Sequence, residues 1–167
     1  MSVDWADVYR EMYQDVVRFL YRKVWDADRA QELAQETFVR CLKQQPDHAR
    51  ALVFTVAANL ARDESRSVLR RKKHLTLIKV ESAQQHVPTP AEHTEQAGMQ
   101  EAVERALSEL GERDREVLLL WDAGLSYQEI AAQTGLAVGA IGTTLARARR
   151  KLVEAHEQLE GRRNVAH

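Results

Sequence analysis

The sequence predicts an all-α protein made of two small helical domains joined by a flexible linker. Three observations carry that expectation. Apolar residues recur at steps of three and four along most of the chain, the spacing of one helix face. Nowhere do they alternate with a period of two for long enough to form a strand. The stretch Lys79–Gln96 (KVESAQQHVPTPAEHTEQ) loses the helical period and gathers polar residues around Pro88 and Pro90, the composition of a linker. The expected boundaries are a domain over 1–78, a linker over 79–96, a second domain over 97–160 and a tail over 161–167.

The first helix is expected from Trp5, Val8, Tyr9, Met12, Val16, Phe19, Leu20 and Val24, which recur on one face. Asp28 followed by Gln31 reads as a capping box. It opens a helix that turns Ala30, Leu33, Ala34, Phe38 and Leu42 inward and stops before Pro46. A third helix starts near Ala49, carries Leu52, Val56 and Leu60 inward, and runs into the basic cluster Arg70–Lys73. After the linker come helices over about 96–110, 112–121, 126–134 and 138–158.

Within the 167 residues, 44% are hydrophobic and 29% charged, the balance of a globular chain rather than a disordered one. The single cysteine, Cys41, excludes a disulfide framework and a cysteine-rich zinc site, and suits a reducing, cytoplasmic setting. No apolar run is long enough to span a membrane, and Met1–Asp4 lacks the layout of a signal peptide. The formal net charge of −1 conceals an uneven distribution. Residues 43–73 carry 8 positive and 3 negative charges (net +5), whereas residues 74–110 carry 2 and 6 (net −4). A second basic group, Arg147, Arg149, Arg150 and Lys151, lies near the C-terminus. Because salt screens charges beyond about 10 Å, such local surfaces decide phosphate attraction.

Ser126-Tyr127-Gln128-Glu129 is a second capping-box sequence. Gly135 stands where a left-handed residue ends the helix. Ile141, Leu145, Ala148 and Leu152 turn inward on the next one. Ala131 at a helix crossing, Gly135 at the turn and Ile141 six positions on satisfy helix-turn-helix spacing. An ordinary helical hairpin is the competing reading of this segment alone. The outward residues of the second helix are small (Gly139, Gly142, Thr143, Thr144, Ala146), with no Arg or Gln at its start to grip a base edge in bidentate fashion. Duplex affinity from Arg147, Arg150 and Lys151 is therefore expected to rest on phosphates and DNA shape, with Gly139, Thr143 and Thr144 near base edges or thymine methyls.

In the N-terminal half, Asn59, Arg62, Asp63, Arg66, Arg70 and Lys73 fall on one helical stripe, and Glu32, Gln35, Glu36 and Arg40 on another. Each stripe alone reads as a solvated face. Together with the C-terminal motif they carry a resemblance. Asp28–Leu42 (DRAQELAQETFVRCL) resembles the second region of bacterial RNA polymerase sigma factors of the extracytoplasmic-function (ECF) group. Phe54–Arg66 resembles the helix that follows it, and Gly111–Leu152 their fourth region, ending in Arg-Ala-Arg-x-x-Leu.

The resemblance implies that Glu32, Gln35, Glu36, Phe38 and Arg40 dock on the clamp helices of the largest polymerase subunit. It implies a loop, Gln44–Ala49 with His48, that holds a base flipped out of the minus-ten element. Asn59, Arg62, Asp63 and Arg66 then contact the opened strand, and Arg70 and Arg71 follow its phosphates. The C-terminal domain reads the minus-thirty-five duplex and meets the flap of the second-largest subunit. An anti-sigma factor is the expected regulatory partner. The sequence departs from the family pattern at Leu52 (often Trp), at Thr55 and Ala58 (often basic), at Gly111 (often Pro), at Ala137 (often Ser), at Gly142 (usually Lys) and at Thr144 (usually Arg).

Enzyme action, cofactors and metals are not expected. The six histidines show no ligand spacing, and neither a Gly-rich phosphate loop nor a Ser/His/Asp set appears. The alternatives to a sigma factor are an autonomous dimeric helix-turn-helix regulator and a polymerase-binding adapter without DNA specificity.

Overall fold

The computed structural model describes the backbone of residues 2–78 and 95–165, and the side chains of residues 2–65, 98 and 101–162. Among the described residues seven helices form: α1 (Trp5–Val24), α2 (Ala27–Cys41), α3 (Ala49–Ile78), α4 (Glu95–Ser108), α5 (Glu112–Asp122), α6 (Tyr127–Thr134) and α7 (Val138–Val165). No strand occurs among the described residues. The chain divides into two compact units, α1–α3 and α4–α7. Residues 79–94 of the expected linker lie outside the described residues. The last helix runs on to Val165 rather than ending near Gln158.

In the first unit the three helices pack pairwise around Met12, Val16, Phe19, Leu20, Leu33, Phe38 and Phe54. The Phe19 and Phe54 rings meet edge to face at 5.4 Å, a geometry aromatic pairs favour. Asp4 caps α1 by accepting from the Ala6 and Asp7 amides. Trp25 ends α1 in the left-handed region at φ 54°.

Three sequence expectations need correction here. The cap of α2 is Asp26, which accepts from the Arg29 amide, so Asp28 lies inside the first turn. Leu42 follows the helix and is 55% exposed, and the last core position is Cys41. Over the described side chains of α3, residues 49–65, the buried arc is Val53, Phe54, Ala57, Ala58, Leu60 and Ala61, while Leu52 and Val56 are half-buried. That helix lies against both α1 and α2, so its buried arc is broader than one stripe and is centred near Ala57.

In the second unit α5 buries four successive residues, Val117–Leu120, because α6 and α7 both pack on it. A helix covered on several sides is apolar nearly all round. The capping box of α6 forms in full: the Glu129 amide donates to Ser126 Oγ (3.1 Å) and the Ser126 amide to Glu129 Oε1 (2.9 Å). Gly135 takes φ 78° at its C-terminus, a conformation costly for residues with a Cβ. Ala131 and Ile141 are buried as the helix-turn-helix spacing requires. No described helix is long and apolar enough to cross a membrane.

Candidate nucleic-acid interfaces

Helix α3 turns Asn59, Arg62 and Asp63 to solvent on the side away from Phe54 and Ala57. The backbone of α3 continues past Arg66, Arg70 and Arg71; their side chains lie outside the described set. Next on this surface Glu64 is engaged rather than free. Arg29 of α2 donates through Nε and Nη2 to its two carboxylate oxygens (2.8 and 2.7 Å), and through Nη1 to Glu32 (2.8 Å). Hydrogen bonds to Glu64, then to Glu32, hold the Arg29 guanidinium even more firmly protonated than usual. This paired fork, the strong form of a charged hydrogen bond, ties α2 to α3. It spans 35 positions of sequence, so no local pattern announces it.

The loop between α2 and α3 is held from the N-terminal arm. The Trp5 indole donates through Nε1 to the Gln44 carbonyl (3.1 Å), and the Val3 amide donates to Gln45 Oε1 (2.8 Å). His48 is exposed, and its carbonyl accepts from the Leu52 amide in the first turn of α3.

On α2, Glu32, Gln35 and Arg40 are exposed, and Arg40 bridges to the half-buried Glu36 at 2.9 Å. Phe38 differs from the expectation of a docking residue: it is 5% exposed and packs edge to face on Tyr9 at 5.0 Å. It forms the floor of an open apolar groove of about 630 Å³ whose other walls include Trp5, Tyr9, Gln35, Val39 and Leu42. Val39 and Leu42 are 62% and 55% exposed, two large apolar side chains presented beside the polar positions of α2. Burial pushes the nearby Cys41 thiol up to about 11, which keeps it protonated and inert.

In the second unit Gly139, Thr143, Arg147, Arg150 and Lys151 are exposed on α7. Thr144 is not. It is 6% exposed, because positions 141, 144, 145 and 148 form the i, i+3, i+4, i+7 stripe that packs inward. Thr144 is therefore a core position and not a base contact. Arg147 and Lys151 are anchored. Arg147 donates through Nη2 to Asp114 Oδ1 (2.7 Å) and through Nε to Oδ2 (3.3 Å), and Lys151 Nζ donates to Oδ2 (3.3 Å). Asp114, on α5, is 4% exposed. Hydrogen bonding from Arg147 and then Lys151 holds its carboxyl below the ordinary range against the opposing effect of burial.

Gly142 lies beside Tyr127, where an added Cβ would sit 3.5 Å from Cε2, an ordinary contact distance. Tyr127 and Trp121 are partly exposed with ring centroids 5.7 Å apart, and the Arg149 guanidinium stands 5.5 Å from the Trp121 centroid. Among the described residues no group of three or more His, Cys, Asp or Glu is placed to hold a metal ion.

Comparison with known proteins agrees with this layout. The family model for sigma-70 region 2 matches residues 8–72, and that for sigma-70, region 4 matches residues 100–152. The chain is 35% identical over 133 residues to the ECF RNA polymerase sigma factor EcfG of Rhodopseudomonas palustris (strain TIE-1), covering 76% of this chain and 71% of that one. It is 28% identical to the RNA polymerase sigma factor YlaC of Bacillus subtilis (strain 168), covering 87% and 88%. Among solved structures, the sigma factor RpoE of Bartonella quintana, in complex with the anti-sigma factor NepR, shares the fold. Its TM-score is 0.70 at 23% identity, over 92% of this chain and 97% of that one. CnrH in complex with the cytosolic domain of CnrY gives 0.61 at 22% identity, over 92% and 88%.

Proposed function

The chain belongs to the ECF group of sigma-70-family RNA polymerase sigma factors, and from that premise we propose how its surfaces divide promoter recognition. As a sigma factor it binds core polymerase and directs promoter-specific initiation. In our reading the α2 face, with Glu32, Gln35, Glu36 and Arg40 beside the groove floored by Phe38, takes the clamp helices. Polar complementarity sets the orientation there, and the exposed Val39 and Leu42 add apolar area. The Gln44–Ala49 loop with His48 receives the flipped minus-ten base. Asn59, Arg62, Asp63 and Arg66 line the opened strand, and Arg70 and Arg71 follow its phosphates. Extruding a base costs a few kcal/mol, so contacts in such a pocket must offset that loss.

Helix α7 reads the minus-thirty-five duplex through Gly139 and Thr143, with Arg147, Arg150 and Lys151 on phosphates. The second unit also meets the polymerase flap. An anti-sigma protein covers these surfaces when the factor is held inactive, as NepR is bound to the Bartonella quintana protein. The site of action is cytoplasmic, where polymerase is, and the role involves no catalytic step or cofactor.

The observation that carries this reading is the pair of outward polar faces in the first unit, one on α2 and one on α3, with the base-capturing loop between them. A dimeric repressor would use the N-terminal half for dimerisation and leaves the Asn-containing basic stripe beside the polar Gln-Glu stripe without a role. Transcription of a genomic library with purified core enzyme plus this protein tests the assignment. Discrete start sites that share elements at minus ten and minus thirty-five are expected. A footprint on a palindrome without polymerase would instead establish the repressor, and polymerase binding with no discrete start would establish the adapter.

A further inference from the structure

The N-terminal arm and the α2–α3 loop meet at two hydrogen bonds that sigma-factor membership alone does not explain. Trp5 is 9% exposed, and its indole N–H donates to the Gln44 carbonyl at 3.1 Å in a part-buried hydrogen bond. Two residues earlier, the Val3 amide donates to the Gln45 side chain at 2.8 Å. Gln45 precedes Pro46, whose ring confines it to extended conformations. Two consecutive loop residues are thus tied to the arm, and the next has its φ fixed by proline chemistry. Asp47 and His48, which complete the loop, are both exposed.

We infer that Trp5 and the Val3 backbone are positioning residues for base capture. They set the near wall of the Gln44–Ala49 loop before DNA arrives and make no contact with the base themselves. This rests on the proposed role of that loop. Pre-ordering has a physical consequence: a loop already held in the bound shape loses less entropy when a base enters it. Removing a tether therefore lowers affinity only for a strand that presents a base to the loop.

The test uses the assembled holoenzyme and the nontemplate strand of a promoter mapped with it, each minus-ten position made abasic in turn. For the wild type, one abasic position should weaken binding most, which identifies the captured base. Val3→Pro removes the amide donor, and Trp5→Phe removes the indole N–H but keeps an aromatic ring. At saturating polymerase, Val3→Pro is expected to lower affinity for the intact strand by about threefold and Trp5→Phe by about fivefold, the scale of one lost hydrogen bond. Affinity for the strand abasic at the captured position should not change in either variant.

If both variants keep the wild-type ratio of intact to abasic affinity, the positioning role is overturned. If intact and abasic strands weaken equally, the arm only supports the fold, and the inference is likewise overturned. A wild type indifferent to every abasic position would refute the base-capture role itself, which separates that failure from failure of the tethers. Val3→Pro keeps the Trp5 side chain and its indole N–H, so it decides the matter should Trp5→Phe fold poorly.

Discussion

Replacing Asp114 by asparagine is expected to destabilise the second unit by about 1.5–3 kcal/mol. The carboxylate is 4% exposed and accepts three hydrogen bonds from two cations. Bonds to charged groups contribute about 1.5–3 kcal/mol, against about 1 kcal/mol for neutral ones. Two limits bracket the effect. An exposed ion pair is worth about 0–1 kcal/mol, and stripping one partner from a fully buried pair costs roughly 3–5 kcal/mol. Asp114 lies between them, because the Arg147 and Lys151 side chains are 44% and 49% exposed. Once freed, both can turn to water, so the stranded-charge penalty does not arise. Urea unfolding of the full chain, followed by hydrogen exchange at the amides of α5 and α7, measures the change.

The pH dependence supplies the sharper check. Asp114 is held below the ordinary carboxylate range in the folded state, so the folded chain releases this proton more readily than the unfolded chain does. The stability it contributes is fully present above the unfolded carboxylate value, about 3.9. It is lost as the pH falls from there through the lower folded value. The gap between wild type and Asp114→Asn should stay constant from neutral pH down to that range and close below it. A gap under about 0.5 kcal/mol at neutral pH, the scale of an ordinary surface change, would refute the reasoning. So would a gap that widens with acid.

Asn59→Ala should lower open-complex formation with little loss of polymerase affinity, and equal losses in the two assays would remove Asn59 from the strand contacts. Glu36→Lys should do the reverse and weaken polymerase binding first, by reversing the charge presented to the clamp helices and by loss of its bridge to Arg40; unimpaired binding would refute α2 docking. Gly142→Lys should strengthen duplex binding and steepen its salt dependence, adding about 0.9 to the slope of log K against log salt. An added Cβ meets Tyr127 only at ordinary contact distance, and replacing a mid-helix glycine gains up to about 1 kcal/mol of helix stability. An unchanged slope would mean that this side of α7 does not face phosphate.

How much of this was readable beforehand follows the range of the interactions. The capping box at Ser126, the left-handed Gly135 and the Ala131–Ile141 spacing are all set within a few residues, and each forms as expected. The sequence points to Asp28 as the cap of α2, two positions beyond the actual Asp26, because both are competent acceptors and the difference lies in where Trp25 turns the chain. Leu52 and Val56 were favoured on α3 by a one-stripe pattern, whereas packing against two helices widened and shifted the buried arc. The ion pairs Arg29–Glu64 and Arg147–Asp114 span 35 and 33 positions. Patterns confined to one helix carry no information about them.

Thr144 shows where a family pattern and helix geometry compete, and why geometry decides. Position 144 usually carries Arg in the family, which marks it for DNA. Its helical phase places it between Ile141 and Ala148, both 0% exposed. A long cationic chain at such a position can run its methylenes along the core and bring its charge out to solvent. Threonine is too short to do so, and here the side chain stays covered. With Thr at 144 and Gly at 142, α7 carries no cation at either position, while Asp114 engages Arg147 and Lys151. In the proposed reading Arg150, exposed on the same face as Gly139 and Thr143, then carries a larger share of phosphate attraction. Arg150→Ala should therefore reduce the salt slope of duplex binding by about 0.9, and Arg147→Ala by less, because its guanidinium is already neutralised in part by Asp114. Equal reductions would show that the Asp114 pair opens on DNA and returns both cations to the phosphates.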